Sequence, residues 1–335
     1  MEQFIKETSQ ALKNQVGKNN VLLLISGGVD STVTAALLLK ALESDQVHLM
    51  YMDTGLMRKN ETAAVRIILE KLGAKNIHVI NAEAEFLSAL KGKTDPEEKR
   101  RIIGDLFISI QEREVKRLGL PDDYFLAQGS IRADFIESGQ AGEKKVNVVK
   151  SHHNVASPLV IAKREAGKVL EPLAPLYKYQ VRELGHLLGL DKEIVNRHPF
   201  PGPGLAVRIL GEVTKTQCDS LREADAIFIE ELKTRCLYDQ IWQAFAVLLP
   251  IRSVGVSAGS PAGGLVGGSS ETERKYGWVI ALRAITSTDG MTANVYPFET
   301  RDLLEISARI TDTVKEIGRV TYDISGKPPA TIEWE

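Results

Sequence analysis

The chain has 335 residues, 43% of them hydrophobic and 26% charged, with a formal net charge of -2. That length suggests two cores, and the slight negative charge argues against a broad nucleic-acid-binding face. Its two cysteines, Cys218 and Cys236, form no Cys-x-x-Cys pair, which argues against a structural zinc site or a redox dithiol. Met1-Glu2-Gln3-Phe4 is not the start of a signal peptide, and no apolar run is long enough to span a membrane, so a cytoplasmic protein with no membrane or nucleic-acid partner is expected.

Phe4, Ile5, Leu12 and Val16 predict a short amphipathic helix. Val21 to Ile25 is an unbroken apolar run, as in a strand buried on both faces. It turns through Ser26-Gly27-Gly28-Val29-Asp30-Ser31-Thr32 into an Ala- and Leu-rich helix running to Lys40, with Asp30, Ser31 or Thr32 able to cap its first turn. Glycines between a buried strand and a helix start let a ligand approach the main chain, and the helix N-terminus favours an anion there. Ser26, Ser31 and Thr32 add hydroxyl donors, whereas Asp30 suits such a site only if Mg²⁺ lies between it and a phosphate. The turn is neither a Walker P-loop nor a Gly-x-Gly-x-x-Gly fingerprint. It resembles the pyrophosphate-binding loop of N-type ATP pyrophosphatases, with an ordinary strand–turn–helix as the alternative.

Val47 to Met52 reads as a second strand ending at Asp53, which either reads ribose hydroxyls or forms the turn before Gly55. A helix over 61–72 and a third strand over 77–80 complete a β-α-β-α-β alternation, which argues for a doubly wound parallel sheet. A capped helix runs from Thr94-Asp95-Pro96 to about Leu118. A strand from Phe125 to Gln128 then enters a polar turn at Gly129-Ser130. Beyond it, Arg132 faces a phosphate or carbonyl and Asp134 a metal, or the two form a surface pair. Ser151-His152-His153-Asn154 reads as an anion-facing loop rather than a zinc site, in a lid reaching Gly167. A last strand covers 169–173, and Lys178 stands near the start of the helix after it. A cation there does not help the helix dipole, so it faces a phosphate or is only solvated.

His198-Pro199-Phe200-Pro201-Gly202-Pro203-Gly204-Leu205 can form neither a helix nor a central strand and marks a domain junction that is also a binding loop. The expected domains are 1–200 and 201–335. The second half reads as a smaller α+β domain with helices over 217–233 and 303–317, an apolar segment over 241–249, strands over 276–285 and 320–324, and a flexible Gly/Ser-rich loop over 255–270. Its surplus apolar surface suggests a homodimer interface. The closing Lys327-Pro328-Pro329-Ala330-Thr331-Ile332-Glu333-Trp334-Glu335 is either a frayed end or a docked, ligand-binding tail.

Taken together, the Ser26–Thr32 loop, Ala127-Gln128-Gly129-Ser130 with Asp134, Ser151-His152-His153-Asn154, the Pro-Gly run and the tail are similar to the GMP synthetase family. The resemblance implies an adenine nucleotide α-hydrolase-like fold and a reaction in which ATP, with Mg²⁺, adenylates the C2 oxygen of XMP and ammonia then displaces AMP. It implies that Ser26, Gly27, Gly28, Val29, Asp30, Ser31, Thr32, Asp53 and Gly129 bind ATP and pyrophosphate, that Asp30 and Asp134 hold Mg²⁺, and that Lys178, His152 and His153 stabilise the leaving pyrophosphate. Arg132, Pro201, Gly202, Lys327, Thr331, Ile332 and Glu333 would bind XMP. The family's Cys-His-Glu glutaminase triad has no counterpart in this sequence, which implies free ammonia or a separate glutaminase subunit. The stretch 257–273 is longer than the corresponding turn of the family. The alternatives are another ATP pyrophosphatase, such as a tRNA thiolase, and a non-catalytic nucleotide-sensing subunit.

Overall fold

A computed structural model describes residues 1–137, 158–256, 274–288 and 290–335. His152 and His153, with the rest of the expected anion-facing loop, and the Gly/Ser-rich stretch 257–273 lie outside those residues. The chain divides into two compact units, Met1–Phe86 with Arg101–Gly202 and Leu87–Arg100 with Pro203–Glu335.

The first unit is built on a five-stranded parallel sheet. Its strands are β1 (Val21–Ile25), β2 (Val47–Asp53), β3 (Asn76–Asn81), β4 (Phe125–Ala127) and β5 (Val169–Leu170), in the order β3-β2-β1-β4-β5. The apolar run of β1 is explained by its position, since it is central and buried on both faces. Val21, Leu23 and Ile25 pack into one core with Val33 and Leu37, while Leu22 packs into another with Met50, Val115, Leu126 and Val160. The first core lies under α1 (Glu2–Val16), α2 (Val29–Ala41) and α8 (Lys178–Leu187). The second lies under α5 (Pro96–Leu118) and α7 (Pro158–Glu165). Helices on both faces of a parallel sheet make this the doubly wound α/β fold read from the sequence. The strand order reverses between β1 and β4, so the loops leaving those two strands flank the topological switch point, where open α/β sheets bind ligands.

Two local expectations are corrected. The N-cap of α2 is Gly28 and no side chain caps it. Ser31 and Thr32 lie one turn inside and donate back to the Gly28 carbonyl at 3.2 and 2.8 Å. The polar turn after β4 lies at Gly129-Ser130 as expected, and Arg132 then opens a helix, α6 (Arg132–Glu137). The end of the expected lid, 158–165, is the helix α7. Val160 is in the core and Lys163 donates to the Asp122 and Tyr124 carbonyls at 2.8 and 2.9 Å. The sequence reading also passed over α4 (Glu83–Leu90). Helices α3 (Glu61–Lys71) and α9 (Lys192–Val195) complete the helices of this unit among the described residues.

In the second unit β6 (Gln243–Val256) pairs antiparallel with β7 (Arg274–Thr286), which also pairs with β8 (Asn294–Val295) and, in parallel, with β9 (Ile317–Tyr322). Helix α10 (Lys215–Thr234) starts at a capping box, in which Thr214 Oγ1 accepts from Gln217 N and Gln217 Oε1 from Thr214 N. Its buried residues Leu221, Ala224, Phe228 and Leu232 recur at helical spacing, and it packs on β6, while α11 (Thr300–Thr313) packs beside β9.

The C-terminal tail is docked within this unit, not frayed. Arg283, fully buried, donates to the carbonyls of Ser325, Thr331 and Ile332 and pairs with Asp323 at 2.8 Å. Lys99, also fully buried, donates to Glu335 Oε2 at 2.6 Å, and Arg100 to the Glu335 carbonyl at 2.5 Å. A tail of this composition is ordered because buried cations take its main-chain oxygens and carboxylates.

Candidate active site

The turn after β1 is a small network of hydroxyls and main-chain groups. Ser26 Oγ lies 3.1 Å from Ser31 Oγ and accepts from Gly28 N at 3.2 Å, and Ser26 N donates to Ser31 Oγ at 3.3 Å. Gly27 has φ +77°, a conformation that L side chains avoid. The 13-residue helix α2 begins immediately after, so its uncapped N-terminus opens beside two hydroxyls. The arrangement offers hydrogen-bond donors and a positive dipole end to an anion.

Gly129 owes its identity to a close approach. A Cβ there would lie 3.1 Å from Ser31 N and 3.2 Å from Asp30 C, both main-chain atoms of the first turn of α2. The loop after β4 thus runs directly against the turn after β1, and any side chain there would press on the main chain of α2.

Lys178 and Asp30 are 148 residues apart in sequence, yet Lys178 Nζ is 2.5 Å from Asp30 Oδ2. Both are partly exposed, while the other oxygen of Asp30, Oδ1, is buried without a hydrogen-bond partner. A buried carboxylate oxygen with no donor is costly, and a cation beside it would satisfy it. Among the described residues no three His, Cys, Asp or Glu side chains group so as to hold a metal ion. A single carboxylate with a buried, unpartnered oxygen fits a Mg²⁺ that would take its other oxygens from phosphates and water.

The remaining expected site residues have engagements of their own. Asp53 Oδ1 accepts from Gly55 N at 3.0 Å and Oδ2 from Thr62 Oγ1 at 2.6 Å, so the side chain forms the turn and ties β2 to α3. Asp134 Oδ2 accepts from Ile131 N at 2.8 Å, across the start of α6. The Arg132 guanidinium lies 5.1 Å over the Tyr177 ring, which stacks on Tyr179. Val29 opens α2 and is buried. Pro201 is partly exposed and Gly202 exposed, in a turn before the 3-10 segment Gly204–Val207.

Lys327, Thr331, Ile332 and Glu333 belong to the second unit. Glu333 makes a bidentate pair with the fully buried Arg208, at 2.8 and 3.0 Å, and accepts from Gln243 Nε2 at 2.8 Å. Lys327 Nζ donates to the Gly290 carbonyl at 2.8 Å. The Ile332 and Thr331 carbonyls face Arg283, and Thr331 Oγ1 donates to the Glu333 carbonyl.

Sequence reasoning missed a second layer behind the turn. Arg197 Nη1 donates to the Gly27 carbonyl at 2.9 Å and Nη2 ion-pairs with Glu61, which is buried at the start of α3. Arg58 Nη2 donates to the His198 and Pro199 carbonyls at 3.1 and 3.0 Å and lies over the Phe200 ring. Burial pushes the neighbouring Tyr51 phenol well up, with Glu61 and Asp53 adding to the effect and Thr62 and Arg197 opposing it, so the phenol stays protonated. No local signal marks these partners, which are 136 to 170 residues apart.

Comparison with known proteins bears on both units. Residues 230–334 match the family model described as GMP synthase C terminal domain, and residues 2–105 match the one described as NAD synthase. A glutamine-hydrolysing GMP synthase of Zymomonas mobilis is 48% identical over 336 residues, covering 100% of this chain and 60% of the relative. One of Bdellovibrio bacteriovorus is 50% identical over 317 residues, covering 95% and 59%. One of Wolbachia pipientis is 46% identical, covering 100% and 61%. The chain spans about 60% of the length of these curated relatives. These matches run through both of its units, so along its whole length the chain is similar to part of the GMP synthases.

Proposed function

We propose that this chain carries out the synthetase reactions of GMP formation, using ATP and ammonia. The C2 oxygen of XMP attacks the α-phosphorus of ATP, the bond to the β-phosphate oxygen breaks, and pyrophosphate leaves. Ammonia then adds at C2, loses protons, and AMP departs. The physical reason for two steps is that a carbonyl oxygen is a poor leaving group and an adenylate a good one. The observation that carries the reading is the turn after β1, where two hydroxyls, an uncapped helix N-terminus, Asp30 and Lys178 meet at the switch point of the sheet. Full-length similarity to GMP synthases supports XMP as the acceptor.

In this reading Ser26, Gly27, Gly28, Ser31 and Thr32 cradle the pyrophosphate of ATP through the turn and the α2 N-terminus. Lys178 lies beside the same turn and stabilises charge on the leaving pyrophosphate, with His152 and His153 proposed to join it. Asp30 is the metal-facing carboxylate, because its Oδ1 is buried and unpartnered. Asp134, whose Oδ2 accepts from Ile131 N, is proposed as the second carboxylate facing the metal. A bound Mg²⁺ would neutralise phosphate charge there. On the acceptor side, Lys327 is proposed to meet the XMP phosphate, with Thr331, Ile332, Glu333, Arg132, Pro201 and Gly202 completing its contacts. Glu333 would have to serve a purine N–H while holding Arg208.

Ammonia is proposed to come from solution or from a separate glutaminase. A cytoplasmic setting is part of the proposal. Among the described residues no helix is long and apolar enough to cross a membrane.

The test is formation of pyrophosphate and GMP from ATP, Mg²⁺ and XMP, with ammonium and separately with glutamine. Turnover with ammonium alone is expected. No pyrophosphate with XMP under either condition would reject the reading.

A further inference from the structure

The strongest unassigned feature is the grip on Gly27. Its carbonyl is held by Arg197 Nη1 at 2.9 Å, and the other arm of that guanidinium is paired with Glu61. Glu61 is 4% exposed, so each of the two charges needs the other. Glu61 Oε1 and Val65 Cγ2 also lie 2.8 and 3.1 Å from the position of a Cβ on Gly27. The N–H and C=O of one trans peptide unit point in opposite directions. Holding the Gly27 carbonyl on Arg197 therefore turns the Gly28 N–H towards the Ser26 hydroxyl, 3.2 Å away, and the Ser31 hydroxyl beyond it. That is the side on which a phosphate needs donors. Arg197 is also held from behind, because Arg58 binds the two carbonyls that follow it and lies 4.4 Å over the Phe200 ring.

We propose that Arg197 is a positioning residue of the phosphate-binding turn, fixing the Gly27–Gly28 peptide, with Glu61 as its anchor. The inference rests on the phosphate reading of that turn and adds a residue that touches no substrate. It also gives the start of the Pro-Gly junction a role in the nucleotide turn, since residues 198–200 hold Arg197 in place.

The test compares Arg197→Gln, Arg197→Lys and Glu61→Gln with the parent chain, all at full length. Three quantities are measured: thermal stability, the KM values for ATP and XMP in pyrophosphate release, and the affinity for inorganic pyrophosphate by calorimetry. Misplacing the turn should raise the KM for ATP and weaken pyrophosphate binding by ~10- to 100-fold in Arg197→Gln. The KM for XMP should stay within about twofold, since uniform loss of folded enzyme changes neither KM. Arg197→Lys, which keeps one donor, should recover part of the loss, and Glu61→Gln should shift the same constants in the same direction. A folded Arg197→Gln with parental KM for ATP and parental pyrophosphate affinity would overturn the proposal. If Arg197→Gln does not fold, the other two variants decide by the same constants. If the parent binds pyrophosphate but releases none with XMP, the XMP reading falls while the positioning role is still judged by affinity. A parent that binds no pyrophosphate overturns both.

Discussion

Asp30 and Gly129, in the adjoining loops after β1 and β4, carry opposite kinds of constraint. Asp30 has one oxygen on Lys178 and one buried without a partner, an arrangement whose cost a cation would offset. Asp30→Asn keeps the shape and removes the charge. It should lower pyrophosphate release by ~100-fold or more while leaving XMP affinity within about twofold, as measured by steady-state kinetics and XMP titration. Full activity in that variant would remove Asp30 from the metal-facing role. Gly129 is constrained by space. A methyl group there meets main-chain atoms of α2 at 3.1 and 3.2 Å, and main chain cannot swing aside as a long side chain does. Gly129→Ala should therefore cost about 1–3 kcal/mol of stability by overpacking and also lower pyrophosphate release, since the yielding atoms belong to the helix start proposed to bind phosphate. A melt unchanged from the parent would mean that the two loops separate at little cost.

Whole elements are held by contacts whose partners are far apart in sequence, and that decides what could be read in advance. The parallel strands were legible because burial on both faces leaves an unbroken apolar run, as in Val21–Ile25. The helix over Lys215–Thr234 was legible from periodicity. The short helices Glu83–Leu90 and Pro158–Glu165 were not, since two turns give too few periods to stand out. Arg197 was invisible as a site residue because its meaning lies in Gly27 and Glu61. The state of the tail was equally hidden, as it depends on buried cations from other elements. Lys99 Nζ, fully buried, has the Ala206 and Ile209 carbonyls and Glu335 Oε2 around it. Glu335→Gln leaves that ammonium without its counter-charge and should cost ~2–4 kcal/mol in a denaturant titration, whereas adding Lys99→Met should recover most of the loss.

The edge of the parallel sheet carries a pH-sensitive pair. His48 Nδ1 and His78 Nε2 are 3.2 Å apart on stacked rings, so at least one ring must be neutral. Burial lowers the pKa of both from the ordinary 6.5, and the charge of His78 lowers that of His48 further. Below pH 6.5 the unfolded chain therefore binds protons that the folded chain does not, so the contribution of the pair is complete above that pH and falls as the pH drops through the window beneath it. Denaturation midpoints should decline from pH 7 towards pH 5, and His78→Gln should flatten that decline. An unchanged slope in the variant would assign acid sensitivity to other groups.

At the scale of the whole molecule, the second unit presents apolar surface that its own core does not cover. Val254 and Tyr276 face each other across β6 and β7, next to the pair Arg252 and Trp278, whose guanidinium lies 4.4 Å over the indole. Val254 and Tyr276 are 50% and 62% exposed. Grouped apolar side chains on one end of a strand pair mark an interaction surface more than a scatter of single exposed residues would. A second copy of the chain is the simplest partner, since a two-fold axis lets one patch cover itself. Light scattering should then show a dimer that dissociates on dilution. Val254→Lys with Tyr276→Lys should yield a monomer at every concentration, with a melting temperature within a few degrees of the parent, because exposed positions contribute little to folding. A parent chain that is monomeric throughout would dismiss the dimer. A dimer that survives both lysines would move the interface to another face of this unit, with the exposed Leu304 of α11 the next position to charge.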